Sequence, residues 1–173
     1  MSLARSPVTT IEPERPGDEA VALALVDRAF GPGRYAKAVE RLREGNAHLP
    51  RLSFTAREDG LVVGTVRLWP VRIGERAALL LGPIAVDAEV RGQGLGAALV
   101  QRACVAAAEA GHEVVVLVGD LAFFERLGFE ALEPGALTLP GPADPRRILV
   151  RALRPGALEG LAGPITLPQT LKA

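Results

Sequence analysis

A single cysteine, Cys104, leaves this chain of 173 residues no partner for an intrachain disulfide and points to a reducing compartment. Flanked by Ala103 and Val105 in an alanine-rich run, it reads as a small buried apolar residue rather than a nucleophile. Charge of one sign is missing too. Lys and Arg number 20, as do Asp and Glu, so no net field recruits nucleic acid or an anionic membrane. No apolar run reaches the roughly 20 residues of a membrane span, and the N-terminal stretch has no signal-peptide core, so a cytoplasmic protein is expected. Aromatic residues are only 4%, which confines phenol chemistry to Tyr35 and indole chemistry to Trp69.

What the chain has in quantity is aliphatic surface, 49% hydrophobic residues, ample for one core. Residues 1–153 read as a single domain and 154–173 as an irregular arm packed on it, with at most one helical turn. Residues 8–11 open a short strand, and 19–30 a helix capped by Asp18 or Gly17. A second helix is expected over 34–43, carrying Tyr35. Residues 52–57, 61–69 and 77–86 then form an antiparallel meander, its first turn made by Glu58-Asp59-Gly60. A helix over 94–110, stopped by Gly111, is followed by a β-branched strand over 113–118, which implies a right-handed crossover and a parallel pair with 77–86. A short helix over 121–127 and strands near 129–132 and 147–153 complete the pattern.

Between the fourth strand and the long helix lies Arg91-Gly92-Gln93-Gly94-Leu95-Gly96-Ala97. A helix start directs unpaired N–H groups and the positive end of its dipole at whatever stands in front, and glycines let an oxyanion approach the backbone. Arg91 adds a charged donor. The bland alternative is glycine serving only a turn or close packing. Two ligands fit a pyrophosphate cradle. Gly92-x-Gly94-x-x-Ala97 satisfies a relaxed dinucleotide fingerprint, with Asp120 as its ribose-binding acid, which keeps a nicotinamide-dependent oxidoreductase as a remote alternative. Against it stand the five residues between strand and glycine and the upstream meander.

Arg91-x-x-Gly94-x-Gly96, set between "LGPIAVDAEV" and "VVVLVGDLAFFERLGFEAL", resembles the pyrophosphate motif of the GCN5-related N-acetyltransferase (GNAT) family, most of all its YhbS-like branch. The resemblance implies an α/β (α+β) fold: a mixed, mostly antiparallel central sheet flanked by helices, with splayed fourth and fifth strands. It implies acetyl-CoA as co-substrate and no metal. The pantetheine arm would pair with Ile84, Ala85 and Val86, and the pyrophosphate would sit on Arg91, Gly92, Gln93, Gly94, Leu95, Gly96 and Ala97. Pro83, unable to donate to a ladder, suits a bulge or an open edge there. An amine would attack the thioester directly, as in acetylation of a small molecule or a protein, and family members commonly pair as homodimers, to which residues 164–171 would contribute.

The proton for the leaving thiolate commonly comes, in this family, from a tyrosine where this chain has Phe124, in Phe123-Phe124-Glu125-Arg126-Leu127-Gly128-Phe129. Phe124 therefore keeps a place beside the cofactor but not the acid role, which also motivates a non-catalytic CoA-binding module as the alternative. Tyr35 is the substitute phenol, against the bland reading of a packed loop ring. Asp120 reads first as a helix cap. His48 and His112 read as solvated, and Arg57, Arg67, Arg72 and Arg76 as charge on an exposed sheet face. Trp69 lines an acceptor cleft or covers the core. No acid interrupts residues 77–86, so an ordered water is expected to carry the proton outward.

Overall fold

The computed structural model describes residues 6–168 of the chain. β1 (Thr9–Pro13) turns into α1 (Glu19–Phe30). Asp18 does not cap α1 with its side chain: its carboxylate accepts from the Arg15 N–H at 2.8 Å and from Arg57, closing the preceding turn. The helix expected over 34–43 is absent. Two 3-10 turns, Pro32–Ala36 and Ala38–Leu42, are separated by Lys37 in extended backbone (φ −76°, ψ 142°). A continuous helix would turn residues 34 and 40 about 120° apart. The break instead brings Arg34 Nη1 to 3.1 Å from Glu40 Oε1, both side chains buried, so a tertiary ion pair overrides local propensity.

The meander follows as β2 (Phe54–Glu58), β3 (Leu61–Ile73) and β4 (Arg76–Val86), all antiparallel. β3 outruns its expected end at Trp69. Pro70 is tolerated because the pairing with β2 stops at Val66, and the Asn46 side chain donates to the Pro70 carbonyl at 2.9 Å. α2 (Leu95–Glu109) crosses to β5 (Val114–Val118), parallel to β4. α3 (Leu121–Phe124) runs into a 3-10 turn closed by Gly128 in the left-handed region (φ 86°), where glycine escapes the Cβ penalty. β6 (Glu130–Ala131), β7 (Leu137–Thr138), β8 (Ile148–Ala152) and β9 (Gly163–Thr166) complete the sheet.

The strand order is β1-β2-β3-β4-β5-β8-β6, with β9 pairing antiparallel to β3 and parallel to β7. The C-terminal arm is thus not wholly irregular: Arg72 and Ile73, beyond the reach of β2, leave an edge that Thr166 and Ile165 take. The end of that expected arm, 169–173, lies outside the described residues. A sheet this antiparallel is not the doubly wound parallel sheet of a nicotinamide enzyme, so that alternative falls.

Side-chain alternation splits the core across the sheet. Val66, Leu68, Leu79, Leu81, Val115 and Leu117 pack with Leu99, Ala103 and Cys104 of α2. Trp69, Val71, Leu80, Val114, Val116 and Ile165 fill the opposite face. Burial pushes the Cys104 thiol above its ordinary pKa against a smaller opposing effect of Arg151, which fits a packing residue.

Candidate active site

β4 and β5 pair only at Leu79–Val115 and Leu80–Val116, then part. The cause is local. Against β3, Val66 faces Ile84 but Leu68 faces Leu81, so Gly82 and Pro83 together oppose Arg67 in a bulge. Trp69 pins it, its buried indole N–H donating to the Gly82 carbonyl at 2.6 Å. Gly82 also leaves room for Arg43, whose Nη2 stands 2.8 Å from where a Cβ would be. Between the parted strands opens a cleft of about 570 Å3, lined among others by Leu81, Pro83, Ile84, Leu117, Gly119 and Phe124.

The free edge of β4 is polar backbone. The Asp87 N–H donates to the Val63 carbonyl of β3 at 2.7 Å, so strand alternation turns Ala85 toward β3 and Ile84 and Val86 toward the opening. Of the three residues expected to meet a ligand's amides, Ala85 is therefore engaged within the sheet. The Val86 carbonyl accepts from Arg91 Nε at 3.2 Å, which ties the glycine turn to the strand end.

The turn has the form that an anion requires. Gly92 and Gly94 lie at φ +85° and +76°, and a Cβ on either would meet no atom of the described residues within 4 Å. The first α2 bond runs from the Ala98 N–H to the Gly94 carbonyl at 3.0 Å, so the N–H groups of Leu95, Gly96 and Ala97 precede the helix's hydrogen-bond ladder. A Cβ at Gly96 would stand 3.9 Å from Phe123 and from Val86, at ordinary contact. Open space before bare donors fits a pyrophosphate.

Phe124 is buried at the cleft wall, edge-on to Phe123 at 4.8 Å and to Phe129 at 5.7 Å. Gly119 makes this possible: a Cβ there would come within 2.5 Å of the Phe124 ring. Asp120 is a cap, accepting from the Ala122 N–H at 3.2 Å, and it borders the cleft. Tyr35 is not at the parted strands. It is 49% exposed, its hydroxyl takes a hydrogen bond from Arg34 Nη2 at 2.6 Å, and it borders a second cavity of about 230 Å3 that also contains Trp69 in its wall.

Two ion clusters escaped the sequence reading, because nothing in chain spacing marks them. Glu40 bridges Arg34 and Arg43 (2.6 Å to Arg43 Nη1) between the two cavities. Glu14 holds Arg67 Nη2 at 2.7 Å and His48 Nε2 at 2.7 Å, with the His48 ring edge-on to Trp69. His48 and Arg67 are thus largely buried rather than solvated, and Arg57, paired with Asp18, is so too. Burial is the largest influence on Glu14 and raises its pKa, but the hydrogen bonds and charges of His48 and Arg67 together outweigh it and hold the carboxyl below its ordinary value. Asp18 is likewise raised most by burial, yet Arg15 and Arg57 bring it below the ordinary value.

A mostly antiparallel sheet that parts beside a bulged strand, with an open glycine turn leading into α2, is the form of an acyl-CoA-dependent transferase, and the chain belongs to the GCN5-related N-acetyltransferase (GNAT) family. The acetyltransferase (GNAT) domain matches residues 50–131. The uncharacterized N-acetyltransferase YhbS of Escherichia coli K12 is 36% identical over 143 residues, covering 81% of this chain and 84% of that protein. The crystal structure of E. coli YhbS in complex with CoA superposes with a TM-score of 0.81 at 31% identity, covering 97% of this chain and 94% of the other. A GNAT acetyltransferase from Brucella melitensis in complex with acetyl-CoA gives a TM-score of 0.68 at 27% identity, over 93% and 96% of the two chains.

Proposed function

We propose that this protein is an N-acetyltransferase that moves an acetyl group from acetyl-CoA to the amine of a small molecule or protein by direct attack. The observation that carries the reading is the parting of β4 from β5 beside the Gly82–Pro83 bulge, with the glycine turn at the mouth. When bound, acetyl-CoA supplies the activated thioester. The main chain of Ile84 and Val86 holds the pantetheine amides as an added strand would, with Ala85 behind them. Residues Arg91 to Ala97 hold the pyrophosphate, and Phe124 covers the apolar arm. An N–H on the free edge of β4 polarises the thioester carbonyl.

The proton passes from the amine to the departing thiolate through water, since Phe124 has none to give and Tyr35 stands apart from the parted strands. The domain is single, and the pairing of β9 with β3 and β7 supports a tail packed on the same body. We extend the reading to a cytoplasmic homodimer: with Gly163–Thr166 engaged inside the chain, the outer strand β1 is the edge it would use, and light scattering on the eluted protein reads the mass.

Calorimetric titration with acetyl-CoA, CoA and NADH in separate runs tests the function. Binding of both CoA compounds, and release of thiol when an amine panel is added, is expected; binding of NADH alone overturns the assignment. Phe124 favours one second reading, a CoA-sensing module, distinguished by tight CoA binding without turnover of any amine.

A further inference from the structure

The main cleft runs through the sheet rather than along it. Leu81, Leu117 and Phe124 in its wall belong to the core shared with α2, whereas Val39 and Leu139 pack against the core of the opposite face. Phe123 marks the first end: it lines the cleft, and its ring lies 3.9 Å from where a Cβ on Gly96 would stand, beside the glycine turn. Phe30, the last residue of α1, also lines the cleft, with Lys37 Nζ 5.8 Å from its ring centroid. Lys37 joins the two 3-10 turns, so Phe30 stands with Ala38 and Val39 at the far end. Of the chain's five phenylalanines, Phe54, Phe124 and Phe129 are buried, while Phe30 is 47% and Phe123 40% exposed, and both of these line this one cleft. An aromatic ring kept wet in a cavity wall gains free energy when an apolar group covers it.

A cofactor seated on the turn before α2 enters from the α2 side and reaches its thioester between the parted strands. The far mouth is then left to the acceptor. Its wall is Phe30, Ala38 and Val39 on one side and Leu139, Pro142 and Ala143 on the other, and the two sides meet where a Cβ on Gly141 would come 3.2 Å from the Ala38 Cβ. The buried charges beneath are closed on themselves: Glu40 holds Arg34 and Arg43, and Asp27 also holds Arg34. At the rim Arg146 holds Asp144. Lys37, Asp120 and Arg147 line the cleft without an ion pair among the described residues, but all three are exposed, where pairing is worth little. An acceptor entering this mouth therefore meets apolar surface and no spare buried donor, and a second charge on it would lose water without gaining a buried partner.

Resting on the acetyltransferase reading above, we propose that the mouth beside Phe30 seats the acceptor and that it takes a primary amine on an apolar body, an alkyl or arylalkyl amine with no second charge. Phe30 covers the body, and the nitrogen is directed inward to the free edge of β4. The ammonium group first loses a proton to solvent. Its nitrogen then forms the amide bond to the acyl carbon as the carbon–sulfur bond breaks. The second nitrogen proton reaches the thiolate through water, so the products are the N-substituted acetamide and free CoA thiol.

The test begins by loading the protein with CoA in a calorimeter; a protein that binds no CoA sinks both this proposal and the function on which it rests. Acetyl-CoA turnover is then measured with ethylamine, n-butylamine, n-hexylamine and 2-phenylethylamine, beside 1,4-diaminobutane and 4-aminobutanoate. A fully buried methylene is worth roughly fourfold, so n-hexylamine should exceed ethylamine by at least about tenfold in kcat/KM. The uncharged tail of n-butylamine should give it a similar advantage, about tenfold, over both charged four-carbon partners. Phe30→Ala should flatten the chain-length series and leave the Kd for CoA unchanged, whereas Phe30→Leu, which keeps apolar surface, should retain the series. Phe123→Ala, at the cofactor end, should instead raise the Kd for CoA about tenfold and keep the series. A flat series in the native protein, preference for either charged partner, or an unaltered series in Phe30→Ala overturns the apolar seat while leaving the acetyltransferase intact. CoA binding without turnover of any amine in the panel overturns the seat as well and favours the sensing module.

Discussion

Gly94→Ala tests the anion turn, provided that backbone strain is separated from the loss of a ligand's space. Gly94 sits at φ +76° and a methyl group on its Cα would have no atom of the described residues within 4 Å, so an alanine there meets open volume but adopts the left-handed region. That conformation costs an L-residue roughly 1–2 kcal/mol. For a domain of this size each kcal/mol is worth about 2–4 °C, so Tm should fall by roughly 2–8 °C. Gly111, just beyond the other end of α2, has φ +89° and equally open space, so Gly111→Ala carries the same strain far from the cleft. Only at position 94 does the methyl enter the volume where a phosphate oxygen approaches the first N–H groups of α2. Loss of one charge-assisted hydrogen bond, about 1.5–3 kcal/mol, raises the Kd for CoA roughly 10- to 100-fold. Thermal melts and calorimetric titration of both variants read the two effects. Equal CoA affinity in Gly94→Ala and Gly111→Ala would refute the cradle, whatever the melts show.

Phe124→Tyr restores a phenol to the buried cleft wall; if protonation of the thiolate limits turnover, kcat rises by up to about 10²-fold at unchanged KM for acetyl-CoA, and an unaltered kcat excludes that limit. Glu14 and Asp18 have carboxyl groups held below their ordinary values, so their stabilisation is fully present above the unfolded pKa of about 4 and is lost as pH falls through the lower folded values. Tm should therefore decline below about pH 4, and Glu14→Gln, which strands buried Arg67, should cost about 3 kcal/mol at neutral pH while flattening that decline; an equally steep acid limb in the variant would contradict the linkage. Cys104, 1% exposed with its thiol pushed up by burial, should resist alkylation until the protein unfolds, as read by mass spectrometry across a denaturant series; rapid labelling of the native protein would refute the packing role.

What the sequence by itself determined was the part of this protein written in neighbouring residues. Three apolar stretches read as β2, β3 and β4, an Asp-Gly pair marked the hairpin, and glycines beside an alanine-rich run marked the turn into α2. The order strand, helix, strand required the parallel pairing of β4 and β5. Local sterics and periodicity act over a few residues, so these features are legible without a fold. Tertiary structure alone decided the rest. Lys37 became a break because Arg34 must reach Glu40, and β9 formed because β3 outlives β2 and leaves an edge. Glu14, His48 and Arg67, far apart in the chain, became one buried cluster, and Thr65 became an unpaired hydroxyl in a cavity wall. Each of these depends on which groups are deprived of water together, and burial is a property of the whole packed chain, not of any segment in it.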